Sequence, residues 1–138
     1  MSRHTQLMWG ITFITVPTIV FGGLVLLGVV SGGRFGLPAP PDLTPVQVAF
    51  YRAGHAHAGV LMILSLLLQL GIDHARLPRG LVWPIRVAAP AAAILVSGGF
   101  FGAAHFPALA ILLYAGAATL VGVTLAVGIG MVRAPQPR

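Results

Sequence analysis

Apolar residues fill this chain in four long runs, and polar residues collect at the run ends. The runs are Leu7–Val30, Pro45–Leu70, Leu81–Ala104 and Ala108–Val132. About 20 mostly apolar residues make a helix that crosses a bilayer, so each run predicts one membrane-spanning helix. The expected fold is all-α: one membrane domain over residues 1–138, an integral membrane four-helix bundle whose first partner is the lipid bilayer. The first run follows Arg3, as a secretory leader would. It is longer than a leader core and has no small-x-small cleavage site, so it reads as a helix.

The links between runs constrain the arrangement. Ser31–Thr44, SGGRFGLPAPPDLT, is the longest and is rich in Gly and Pro. It leads into Thr44-Pro45-Val46-Gln47. Thr44 can cap, Pro45 suits the first helical position, and Gln47 can complete a capping box. The second helix is therefore expected to start at Thr44, with Gln47, Tyr51 and Arg52 in the interfacial region. The third link, His105–Pro107, is so short that helices three and four must be antiparallel neighbours. Pro17 and Pro90 fall inside spans, where a proline kinks the helix or frees a carbonyl. Gly98 and Gly102 form a small-xxx-small pair, and helix four carries Gly116, Gly122, Gly128 and Gly130. Such glycines suit close helix packing or a smooth wall for a flat ligand.

Composition sharpens this picture. The chain is 57% hydrophobic and 7% charged, whereas a soluble domain is nearer a quarter charged. A net charge of +6 would suggest nucleic acid in a soluble protein. Here all eight basic residues are Arg and flank the apolar runs, so no nucleic-acid partner is expected. Arg3, Arg76, Arg79, Arg86, Arg133 and Arg138 fall on one side of the four-span topology, and Arg34 and Arg52 on the other. The positive-inside rule then puts both termini in the cytoplasm, as in a bacterial inner (plasma) membrane. The absence of Cys excludes disulfides and thiolate metal sites. Asp42 and Asp73 are the only acids, which argues against a carboxylate ion site. A small transporter would need a polar path, for which Ser65, Gln69 and Thr119 are the only hints.

Candidate chemistry centres on YRAGHAHAGV, residues 51–60. An ionisable residue inside a span is a functional hypothesis by default. His55 and His57 are two apart, about 200° around a helix, so they cannot hold one metal ion together. They can serve different partners, one inward and one across an oligomer interface. His55 shares a face with Tyr51, Gly59, Met62 and Gln69, and His57 shares one with Leu61 and Leu64. His105 ends the third helix on the same side of the membrane and is a further candidate ligand. His74, next to Asp73 and near Arg76, reads as an interfacial anchor, and His4 as a solvated terminus. Zinc wants three or four ligands. Haem asks for one or two axial His and apolar walls. Haem on His55, with His57 or His105 as further ligands, therefore fits best. Tyr51, Gly59, Met62 and Phe101 would lie beside it, and Arg52 would pair with a propionate or snorkel to the interface. Two His ligands would suit electron transfer or gas sensing, and one would leave an open position for catalysis. The alternative is a non-enzymatic subunit or packing module whose histidines bond neighbouring helices.

Four short spans, a long first loop, and Tyr51-Arg52-Ala53-Gly54-His55 opening the second helix resemble styrene oxide isomerase, a family with Arg-Ala-His at this place. The resemblance implies a four-helix membrane protein that forms trimers and binds haem b at subunit interfaces through that His. It also implies an isomerase in which ferric iron acts as a Lewis acid on the epoxide oxygen of a small apolar substrate and gives an aldehyde. His55 is the first carry-over for the axial ligand and His57 the second. Gly54 is an extra residue in the motif. The family sets Asn and Tyr side chains around its substrate. This chain has no Asn, and its tyrosines are Tyr51 and Tyr114, so Tyr114 is the candidate catalytic hydroxyl. Arg before a haem-ligating His is also similar to the second helix of haem–copper oxidases, but one such site cannot support that enzyme. Trimeric membrane glutathione transferases follow their Arg-Ala-His with Asn and Glu, which are absent here.

Overall fold

The computed structural model describes residues 1–37 and 42–135. Residues 38–41 of the first loop, and the terminal Arg138, lie outside the described residues. Four long helices account for the apolar runs: α1 (Arg3–Ser31), α2 (Pro45–His74), α3 (Arg79–Ala103) and α4 (Ala110–Val132). All four are long and apolar enough to cross a membrane, which is the architecture of an integral membrane protein. A short 3-10 turn, Pro107–Leu109, leads into α4.

The helix ends follow their local chemistry. Ser2 caps α1 by accepting from the Thr5 N–H, and Gly32 closes it in the left-handed region at φ 59°. That conformation lets Gly33 N–H reach back to Gly28 O at 2.9 Å, satisfying a carbonyl the helix leaves free. The capping box at Thr44 is complete: its hydroxyl accepts from Gln47 N–H, and the Gln47 side chain accepts from Thr44 N–H. α1 and α2 each run a turn past their expected cytoplasmic-side ends, to Arg3 and to His74. Those added turns carry Ser2, Thr5 and Asp73 to one another.

α3 is the centre of the bundle. It packs most extensively on α4 and α2, while α1 leans mainly on α2. The α3–α4 crossing is set by two glycines. A methyl on Gly99 would lie 2.5 Å from the Leu113 backbone nitrogen, and one on Gly116 would lie 2.8 Å from the Val96 backbone nitrogen. Small residues let backbones approach this closely where lipid gives no hydrophobic drive for association. The sequence pair Gly98/Gly102 does not form such a crossing: Gly98 faces open space and Gly102 meets Leu109. One core cluster joins Leu68, Ile72, Ile85, Ala89, Val123 and Val127, and a second joins Leu61, Ala93 and Val96. α1 contributes little to either and exposes Leu7, Ile11, Phe13, Ile14, Val20 and Phe21, as a lipid-facing helix would.

Ser2 bonds Asp73 through both its N–H (2.8 Å) and its hydroxyl (2.7 Å). Arg76 N–H donates to Gly130 O at 2.8 Å, near the end of α4. The N-terminus, the α2–α3 link and the end of α4 therefore share one end of the bundle.

Candidate functional site

The polar groups inside the bundle fall into two sets at opposite ends. The first is a closed network around Arg86. Sequence reasoning counted Arg86 among the flanking arginines. In the fold it is 3% exposed and ion-paired with Asp73, so its charge is cancelled within the bundle and leaves the orientation tally. Among the described residues, four other arginines against two still mark that end.

Pro90 explains part of this network. Proline has no N–H, so the carbonyl four residues earlier in α3, that of Arg86, loses its helical partner. Gln69 Nε2 donates to that carbonyl at 2.8 Å. Arg86 Nη1 donates to Thr5 Oγ1 at 2.8 Å and to Gln69 Oε1 at 3.1 Å, and Nη2 donates to Asp73 at 2.5 Å. Thr5 Oγ1 donates onward to Gln69 O at 3.2 Å. Three helices are thereby tied by charge-assisted bonds, which are the strong kind. Asp73 is therefore not part of an interfacial group with His74, whose Nδ1–H instead donates to Leu70 O at 2.9 Å. Sequence reasoning missed the Asp73–Arg86 pair. The signal was partial: an acid three residues past the end of one apolar run, and an arginine several residues inside the next.

The second set surrounds YRAGHAHAGV. Gly54 is buried because Phe100 and Phe101 pack on it; a methyl there would lie 3.0–3.2 Å from their atoms. Tyr51 stacks edge-on to Phe101 and shares a 3.0 Å hydrogen bond with His105 Nε2. Gln47 Nε2 donates to Ala104 O at 3.0 Å. The first turns of α2 thus hold the α3–α4 link in place.

His55 turns inward against α1. Its Cε1 and Nε2 lie 3.0 and 3.2 Å from where a methyl on Gly23 would sit. The ring lines a cavity of about 290 Å³ between α1, α2 and α3. Met62 and Phe101 line it too, with Thr15 and Gly22 from α1 and Ser97 and Gly98 from α3. Ser97 is 7% exposed and its hydroxyl has no hydrogen-bond partner. His55 has none either among the described residues.

His57 turns outward. It is exposed on the bundle surface, stacked at 4.9 Å on Phe100, with Nδ1 2.7 Å from Ala53 O. A carbonyl can only accept, so Nδ1 carries the proton and a neutral His57 keeps its lone pair on Nε2. Arg52 is exposed, and Gly59 has no side-chain neighbour. The sequence candidates therefore divide. His55, Met62 and Phe101 line the cavity, Tyr51 joins His105, and His57 and Arg52 face outward. Among the described residues no three His or acidic groups gather as a metal cluster, so His55, His57 and His105 do not converge within one chain.

Tyr114 is 69% exposed on α4 and lines none of the described cavities. Gly116 faces α3, and two residues away is about 200° around the helix. The three polar residues noted for a transport path are placed separately. Gln69 is locked to Arg86, Thr119 donates to its own helix at Ala115 O, and Ser65 is buried without a partner.

Comparison of the chain with family models, curated proteins and solved structures gives no match.

Proposed function

We propose that this is an inner-membrane haem b protein with both termini cytoplasmic, assembled as a homo-oligomer, in which His57 holds the iron. One observation carries the reading. His57 lies 12 residues into the 30-residue α2, about 18 Å along it by helical rise, and faces out of the bundle. At that depth an exposed imidazole meets hydrocarbon, where a free polar atom is costly. Its Nδ1–H is already held by Ala53 O, which fixes the ring and leaves Nε2 ready to ligate. Ligating histidines are typically oriented in this way.

His57 fits an axial ligand better than His55. A flat macrocycle on His55 Nε2 would have to displace α1 at Gly23. On His57 it would meet the open flank of α2, where Ala49, Ala53 and Ala56 leave room and Phe100 offers an aromatic edge. A second copy of the chain would supply the opposite wall, and Arg52 the cation for a propionate. When bound, haem supplies an iron that carries electrons, binds a gas or acts as a Lewis acid, according to how many ligands the protein gives it. The residues themselves orient one imidazole, exclude water and neutralise an anion. Tyr114, exposed on α4, would have to reach such a site from a second copy of the chain.

The test is the absorption spectrum of protein purified after expression with ample haem, before and after dithionite. A Soret band that shifts on reduction is expected, lost in His57→Ala and retained in His55→Ala. Loss only in His55→Ala would move the ligand to the other face. A colourless wild type would overturn haem and leave a packing subunit, a reading the Arg86 network favours.

A further inference from the structure

We propose that the recess where the α2–α3 link meets the end of α4 binds an anionic glycerophospholipid, with its phosphodiester between Arg76 and Arg133 and one acyl chain along α4. The recess is at the opposite end of the bundle from His55 and His57. The inference therefore goes beyond the haem reading and does not rest on it.

Close packing builds the headgroup end. Gly130 is buried, and a methyl there would lie 3.0 Å from Ala75 Cβ and 3.1 Å from Leu77. That approach lets Arg76 N–H donate to Gly130 O at 2.8 Å, which pins the link to α4. Arg76, Leu77, Pro78 and Arg133 then line an open recess of about 690 Å³, with one arginine from each side. An arginine near a helix C-terminus can spend its charge on the last carbonyls. Here backbone groups take them: Arg133 N–H donates to Ile129 O and Ala134 N–H to Met131 O, both at 3.1 Å. The two acids are occupied or distant. Asp73 is engaged by Arg86 and Ser2, and Asp42 is in the first loop, at the other end of the bundle. Among the described residues the one ion pair is Arg86–Asp73, so Arg76 and Arg133 have no counter-charge there. Guanidinium forks match phosphate oxygens, and basic pockets between membrane helices take anionic headgroups.

Arg133 lines a second hollow as well. With Thr124, Leu125, Gly128, Ile129 and Val132 it forms a groove of about 340 Å³ on the outer face of α4. Gly128 leaves the notch, since a methyl there would meet nothing within 4 Å. The Thr124 hydroxyl donates to Leu120 O of its own helix at 2.8 Å, so the groove is apolar. From Thr124 to Arg133 it runs ~13 Å along the helix by helical rise. A charged recess opening into an apolar groove fits a headgroup and its chain together. A soluble phosphate would use the arginines and leave the groove unfilled. A zwitterionic lipid would bring an ammonium group, for which no free carboxylate is at hand among the described residues.

The experiment is native mass spectrometry of the full chain in detergent, titrated with phosphatidylglycerol or with phosphatidylethanolamine of the same chains. One phosphatidylglycerol per chain is expected, bound at least about fivefold more tightly than phosphatidylethanolamine. Arg76→Gln and Arg133→Gln should each weaken it about fivefold, the effect of one basic residue beside an anionic headgroup. Both leave the Arg76 N–H bond to Gly130 in place. Arg3→Gln, the same charge change on α1, should leave binding unchanged. Equal losses in Arg3→Gln and Arg76→Gln would mean a diffuse field at that end and overturn the site. Gly128→Leu, whose side chain fills the notch, should also weaken phosphatidylglycerol. Wild-type affinity in Gly128→Leu, or displacement of the lipid by millimolar glycerol 1-phosphate, would overturn the lipid as occupant. Equal binding of the two lipids to the wild type would overturn the proposal, and that comparison needs no variant.

Discussion

At the Arg86 end of the bundle nearly every polar group is engaged by another helix. At the His55 end the His55 ring and the Ser97 hydroxyl have no hydrogen-bond partner among the described residues. Both ends sit between helices of similar hydrophobicity, so burial alone does not separate them. What separates them is satisfaction. Buried polar groups that bond one another tie helices together, and those without partners do not. The division has two exceptions among the described residues: Ser65 Oγ, one turn before Gln69, and Arg86 Nε are buried without partners. The second is a small cost inside a network that satisfies both terminal nitrogens of the same guanidinium.

The contrast can be broken most severely at Arg86. Arg86→Met leaves Asp73 without its counter-charge, and a loss of ~3–5 kcal/mol is expected, read as a lower melting temperature by circular dichroism in detergent. Arg86→Met combined with Asp73→Leu should recover much of that loss, because the pair is then replaced by apolar contacts. If the double variant is as unstable as the single, the network is more than a neutralised charge. A methyl scan of neighbouring glycines tests the next level. Gly99→Ala should cost ~1–3 kcal/mol through overpacking against Leu113. Gly98→Ala should be neutral or stabilising, as Ala is the better helix former by ~1 kcal/mol. Equal effects in thermal melts would mean that the α3–α4 crossing is not where the fold places it. The smallest effect is expected at Ser65, whose buried hydroxyl lacks a partner. Ser65→Ala should shift stability by no more than about 0.5 kcal/mol, in the stabilising direction. A clear loss would reveal a bond that Ser65 makes in the membrane.

Much of the fold is legible in the sequence because hydropathy and capping are local. Four apolar runs and the Thr44–Gln47 box each need only a few adjacent residues to be recognised. The antiparallel pairing of α3 and α4 follows from a link too short for anything else. Pairings between helices are not local. Asp73 and Arg86 meet across a hairpin whose register depends on where α2 ends, and the apolar pattern gave that end a turn too early. Gly98 and Gly99 are indistinguishable as letters; only the packing of α4 decides which is the contact. The same holds for His55 and His57. Their divergence by about 200° is legible from helix geometry, whereas the direction each faces depends on α1, whose placement no short motif records. Tyr114 was likewise chosen by residue type, and its exposed position on α4 could not be read from the sequence.

Pro90 and Gln69 bear on how the protein is made. The Arg86 carbonyl freed by Pro90 is taken by a residue of α2, and the Arg86 guanidinium is taken by residues of both α1 and α2. None of these bonds can close until the chain has been synthesised beyond residue 90. Until then α1 and α2 are joined by their own bonds, from Ser2 to Asp73, Thr5 to Gln69 O and Trp9 to Leu66 O, while Asp73 lacks its counter-charge. Premature termination between α2 and α3 would therefore leave two spans joined around an uncompensated carboxylate, a natural substrate for membrane quality-control proteases.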